Sequence, residues 1–176
     1  TRHDDWYPRD ADGNMVAPYD WTDVADLNYD MYYMRQAMTE AMLFWVQEAD
    51  IDGFRCDVAG EVPLDFWEDT RAKLDDLKDV WMLAEDGSQY WLLNRAFNAN
   101  YGWHFHHLTN QVAQGKEPVQ VLRNYLDEEA HKFPSDAYRM GFITNHDENS
   151  WNGTVEERYG EAGDAMAVLA ATLLDM

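Results

Sequence analysis

The sequence predicts an α/β chain built around a parallel sheet, of the kind that forms part of a closed (β/α)8 barrel. Three observations carry this. Short apolar runs alternate with segments of helical period, and that alternation implies βαβ units. Acids stand directly after three of the apolar runs, at Asp57, Glu85 and Asp147, and a barrel places its reacting groups at the C-terminal ends of its strands. The 176 residues fall short of the roughly 250 of a complete barrel, so the sequence reads as about half of one, with about four strands.

Residues 1–30 are rich in Asp, Pro, Gly and aromatics without steady periodicity, which predicts an irregular loop segment ahead of a partial barrel over residues 31–176. From Tyr32 to Glu48 the apolar positions Tyr33, Met34, Ala37, Met38, Ala41, Met42, Trp45 and Val46 recur at helical spacing. Asp52 and Gly53 break the pattern, and Phe54 to Val58 reads as a short strand. Asp65 to Lys78 is helical, with Pro63 near its start, where a missing amide is tolerated. Val80 to Ala84 is an apolar run of strand length. Ser88 to Arg95 predicts a short helix, and Ala96 to Tyr101 a strand. Helices come next at about Trp103–Gln114 and Pro118–His131, then a strand over Arg139–Thr144 that ends in Asn145-His146-Asp147. A last helix lies within Glu156–Leu174.

Composition narrows the partners. The 34 acidic residues against 13 Lys and Arg give a formal charge of −21, which repels phosphate backbones and argues against nucleic acid. The 46% apolar content and the eight Trp, ten Tyr and seven Phe suit a globular chain with a core. No apolar run reaches the roughly 18 residues a membrane helix needs. Cys56 is the one cysteine, so neither an intrachain disulfide nor a CxxC knuckle forms. With no initiator Met, no signal peptide and an apolar run that stops uncapped near Met176, the sequence reads as an internal piece of a longer protein. Oligomeric state is not legible. Secreted, periplasmic, surface-attached and cytoplasmic placements all stay open.

The candidate site residues emerge from strand alternation. Arg55 and Asp57 project from one face of their strand, and Phe54 and Cys56 from the other. A guanidinium beside a carboxylate keeps it ionised and oriented, as a nucleophile requires; spacing alone equally allows Asp57 as a helix cap. Glu85, between apolar neighbours and near another carboxylate, is expected to hold its proton, as a general acid does. Its rival Asp86 points the other way and suits the turn at Gly87-Ser88. His146 and Asp147, with Asn145, suit hydrogen bonds to a polyol. His104-Phe105-His106-His107 reads as solvent-facing or core histidines rather than a metal site, and no metal ligand set is assigned. Two carboxylates about 5–5.5 Å apart with opposite pKa tendencies are the machinery of retaining glycoside hydrolysis. Trp103 and Trp151 are compatible with sugar stacking, although such aromatics more often belong to a core.

These segments resemble a known family. Gly53-Phe54-Arg55-Cys56-Asp57 resembles the G-x-R-x-D segment of the alpha-amylase family of glycoside hydrolases. Leu83-Ala84-Glu85 is similar to its general-acid segment and Phe142-Ile143-Thr144-Asn145-His146-Asp147 to its N-H-D segment. Val24-Ala25-Asp26-Leu27-Asn28 is similar to its additional L-P-D-L-N-type motif. The signatures stand in the family's order across essentially the whole chain, with a look of bacterial amylase or maltodextrin-degrading members.

The resemblance implies roughly strands four to seven of the catalytic barrel, after a loop region that follows the third strand. It implies Asp57 as nucleophile, Glu85 as acid/base and Asp147 as transition-state stabiliser, with Arg55 and His146 as supporting substrate and nucleophile contacts. It implies net retention on α-linked glucans such as starch and maltodextrins. Glu61 stands where many members carry His, and the D-x-x-x-N-H segment is absent. Calcium therefore stays open and no cofactor is assigned; Asp10, Asp12 and Asn14 around Gly13 suggest an oxygen-rich loop, with a solvated turn as the plainer reading. A transglycosidase on the same site and a catalytically silent glucan-binding module are the competing functions. A half barrel leaves two sheet edges unpaired, so residues 1–176 alone are expected to be inactive.

Overall fold

The computed structural model describes residues 3–129 and 131–172. In chain order these form α1 (Tyr32–Ala49), β1 (Gly53–Cys56), α2 (Leu64–Asp75), β2 (Trp81–Ala84), β3 (Ala99–Tyr101), α3 (Trp103–Ala113), α4 (Gln120–Glu129), β4 (Tyr138–Met140), α5 (His146–Trp151), α6 (Val155–Tyr159) and α7 (Gly163–Thr172). They fall into two compact units. One holds the chain up to Asp52 together with Val62–Asp79; the other holds Gly53–Glu61 and the chain from Val80 onward.

In the first unit the segment before α1 is irregular apart from a 3-10 turn at Asp4–Trp6 and an antiparallel bridge between Arg9 and Met15. The Val24–Asn28 motif is tied back to this loop. Asn28 N–H donates to the Trp6 carbonyl at 2.8 Å, and Asp26 N–H to that of Val16 at 2.9 Å. Helices α1 and α2 meet through a buried hydroxyl pair, Thr39 Oγ1 and Thr70 Oγ1, 2.8 Å apart, and through Arg35 with Asp65 at 2.8 Å. The apolar stripe of α1 is only partly buried: Met34 and Val46 are, whereas Tyr33 and Trp45 face outward. The helix ends at Asp50, which takes a left-handed conformation with φ 50° and returns its N–H to Val46. Lys78 then binds Asp50 and Asp52, each at 2.8 Å.

The second unit carries a parallel sheet in the order β1-β2-β3-β4. Gly53 pairs with Trp81 and Cys56 with Ala84, so Asp57 and Glu85 leave their strands at the same level. Beside the sheet, Phe105, Leu122, Tyr125 and Ala170 of α3, α4 and α7 form an apolar cluster.

Several boundaries differ from the sequence expectation. The first strand stops at Cys56 rather than Val58, because Val58 turns to φ 42°. The expected helix over Ser88–Arg95 is a 3-10 turn over Tyr90–Asn94. The last strand is Tyr138–Met140, not Arg139–Thr144. At Gly141 the chain passes so close to α7 that an added Cβ would lie 2.6 Å from the Ala170 carbonyl oxygen. The final helical stretch breaks at Gly160, φ 52°, into α6, a 3-10 turn and α7. Leu173 and Leu174 lie outside the described residues.

Candidate active site

The site is assembled on the C-terminal ends of β1, β2 and β3. Parallel register brings the chain after Cys56 against the chain after Ala84, where the Glu85 N–H donates to the Cys56 carbonyl at 2.9 Å and the Ala59 N–H to the Glu85 carbonyl at 3.2 Å. Arg55, on β1, reaches across this junction. Its Nη2 lies 2.6 Å from Glu85 Oε1, and its Nη1 donates to Asp57 Oδ1. Its Nε donates to the hydroxyl of Tyr101 at 3.3 Å, and the guanidinium sits 5.5 Å from the centre of that ring. One cation therefore draws together residues from three strand ends.

The two carboxylates meet different surroundings. The Glu85 side chain is 11% exposed and that of Asp57 is 75% exposed. Burial pushes the Glu85 carboxyl above its usual range. The Val58 N–H, donating to Oε2 at 3.0 Å, and Arg55 pull it down, and the charges of Asp57 and Asp147 push it up again; the net direction is upward. Burial works against the charge of Arg55, but the bonds to Tyr101 and Asp57 and the charge of Glu85 outweigh it and hold the guanidinium firmly protonated. Burial pushes the Cys56 thiol up to about 12, so it stays a neutral core residue on the other face of β1.

Asp147 does not close a strand, as the sequence suggested. It lies in the first turn of α5, where the Asn145 side chain caps the helix by accepting the Glu148 N–H at 2.8 Å. His146 Nε2 is 3.5 Å from Asp147 Oδ2. The charge of Asp147 pushes the Glu85 carboxyl upward, more weakly than that of Asp57 does. Asp86 turns away, and its Oδ1 accepts the N–H groups of Ser88 and Gln89 at 2.8 and 2.6 Å.

Sequence reasoning missed three features. Tyr101 carries a partial signal, since it is the last residue of the expected strand Ala96–Tyr101. The conformation of Val58 had no signal. The third is a buried polar cluster beneath α5. His106, fully buried on α3, has Nε2 2.8 Å from Glu148 Oε2, and Arg158 bonds the Ile143 and Gly153 carbonyls at 2.8 and 3.0 Å. Of the two aromatics weighed for stacking, Trp103 is packed against Tyr101 and Phe142, while Trp151 is 81% exposed.

The Asp10 loop behaves as a turn. Its Oδ1 accepts the N–H groups of Asp12 and Asn14 at 3.0 and 2.9 Å, and Oδ2 accepts from the Asn14 amide at 3.2 Å. Both oxygens of the carboxylate are thereby engaged within their own loop. Among the described residues no group of three or more His, Cys, Asp or Glu is arranged to hold a metal ion, and no helix is long and apolar enough to cross a membrane.

Comparison with known proteins gives a consistent answer. The family model described as alpha amylase, catalytic domain, matches residues 2–176. A curated alpha-amylase of Haloarcula japonica is 27% identical over 174 residues, which is 96% of this chain and 25% of that protein. The chain thus spans about a quarter of that relative's length. Among solved structures, a noncanonic maltogenic alpha-amylase from Thermotoga neapolitana superposes with a TM-score of 0.76 at 35% identity, covering 83% of this chain and 34% of that one. An alpha-amylase from Lactobacillus plantarum gives 0.75 at 28% identity, covering 89% and 42%. The four-stranded parallel sheet and its helices match part of the barrel in these neighbours.

Proposed function

The chain belongs to the alpha-amylase family, catalytic domain, and from that premise we propose that its protein is a retaining glycoside hydrolase of α-linked glucans, with maltodextrins as the substrate class. Residues 1–30 are read as the loop segment that follows the third barrel strand, and residues 31–176 as part of the catalytic barrel. The observation that carries the reading is the sharing of Arg55 between Asp57 and Glu85, one carboxylate open and the other buried with its pKa raised.

In this mechanism Asp57 attacks the anomeric carbon while Glu85 gives its proton to the glycosidic oxygen. The C–O bond breaks, and the sugar is left β-linked to Asp57. Glu85, now ionised, takes a proton from water, whose oxygen attacks the same carbon and displaces Asp57. Two inversions leave an α-configured product. Asp147 and His146 hold sugar hydroxyls, and the Asp147 charge favours the oxocarbenium-like transition state. Trp151, exposed on α5 one helical turn beyond Asp147, offers an apolar face for a sugar ring.

The test is proton NMR of fresh maltodextrin digests by the full-length protein. The α-anomer is expected first, and Asp57→Asn and Glu85→Gln are each expected to abolish cleavage. First-formed β-anomer, or near-normal turnover by either variant, removes the assignment. Products longer than the substrate would instead show a sugar hydroxyl taking the place of water.

A further inference from the structure

The residue after Asp57 adopts a backbone conformation that its side-chain type avoids. Val58 sits at φ 42°, where β-branched residues are strained and glycine is the common occupant. This turn aims its N–H at Glu85 Oε2, 3.0 Å away. The main chain on either side is bonded to the main chain of Glu85 itself, at Cys56 and at Ala59. Such strain persists only where the surroundings over-determine it, and it gathers at functional sites.

We propose that Val58 is a positioning residue for the acid/base step: its amide holds Oε2 of Glu85 through both halves of the reaction and leaves Oε1 as the oxygen that gives up and regains the proton. The proposal rests on the reading of Glu85 as acid/base. An N–H donates to a carboxylate oxygen and, more weakly, to the carbonyl oxygen of a neutral carboxyl, so this bond survives the change of state while favouring the ionised form. The contact of Oε1 with Arg55 Nη2 favours the ionised form; when Oε1 is protonated it lapses, and the guanidinium keeps Asp57 and the Tyr101 hydroxyl. The proton leaves Oε1 for the glycosidic oxygen and returns from the attacking water, so no other donor is needed. Around the carboxyl, the Val58 amide and Arg55 favour ionisation, while burial, Asp57 and Asp147 oppose it.

The test uses the full-length protein with Val58 replaced by its α-hydroxy acid counterpart, which deletes the N–H and keeps the isopropyl group. On maltodextrin, kcat is expected to fall about tenfold or more, with KM within about twofold. The alkaline limb of kcat/KM is expected to move to higher pH, since a donor to the ionised form is gone. Val58→Gly keeps the amide and takes the same φ without strain, so it is expected to lose no more than about threefold. An unmoved alkaline limb, with or without a fall in kcat, overturns the proposal, as does a Val58→Gly loss equal to that of the ester. If the unaltered protein cleaves no glucan, it is the activity reading that fails. Carbon-13 titration of Glu85 then decides the amide's role: a rise in the ester variant supports it, and identical curves overturn it.

Discussion

Nη2 of Arg55 lies 2.6 Å from Oε1 of Glu85, while Nη1 of the same guanidinium holds Asp57. Neither acid is set by its own strand alone. Each feels the other through a cation that only a planar, forked donor can divide.

Arg55→Lys is therefore not a conservative change. A single ammonium cannot hold both carboxylates, so kcat/KM on maltodextrin is expected to fall about 100-fold, equivalent to roughly 2.7 kcal/mol. The weaker hold on ionised Glu85 also moves the alkaline limb of the pH profile upward. A profile identical to that of the unaltered protein would remove Arg55 from the tuning of Glu85.

External azide separates the roles of the two acids. In Glu85→Ala, azide attacks the sugar already linked to Asp57 and the product is the α-glycosyl azide; in Asp57→Gly it attacks the substrate directly and the product is the β-azide. Mass spectrometry and NMR of products from an activated α-glucoside distinguish them. The opposite pairing of variant and anomer would exchange the two assignments.

In the first unit, the Thr39 and Thr70 hydroxyls satisfy each other in a buried setting. Thr39→Val or Thr70→Val alone strands one hydroxyl and is expected to cost about 1–3 kcal/mol. The double variant removes both and should recover most of that loss. Additive losses in denaturant melts would show that the pair is not coupled.

Stability is expected to depend on pH through His106 and Glu148. Burial lowers the His106 pKa. Burial pushes Glu148 up, but the hydrogen bond and charge of His106, with Asn152 and Arg158, outweigh it and hold Glu148 low. Both folded values lie below the unfolded ones, so this stability is complete above about pH 6.5 and is lost as pH falls through the folded values. Melting temperature should drop between pH 7 and pH 4; a flat profile there would count against the pairing. Glu85 acts in the opposite sense: its raised value costs stability as pH rises through it, so replacing it should relieve part of that cost at neutral pH.

How far the sequence could be read depends on the range of each interaction. Pleat alternation and helical period are local, so β1, α1, α3 and the pairing of Arg55 with Asp57 on one face were legible in a few neighbouring residues. The strand that stops early at Met140 was not, because it ends level with Tyr101 of its partner β3, just before Gly141 passes close to Ala170, 29 residues on. The sequence offers Asp147 as a candidate acid after a strand, whereas it stands in a helix of only His146–Trp151, too short to declare a period.

The sequence by itself determined which acids stand near the ends of apolar runs, since residue order fixes the side chains that come directly after a strand. Only the tertiary structure decided that Arg55 is shared between Asp57 and Glu85, that Val58 turns its amide onto Oε2, and that His106 meets Glu148 across 42 positions. Those relations depend on burial and on contacts between distant segments. Burial and distance set the strength of a charge's interaction, and neither exists until the strands have paired.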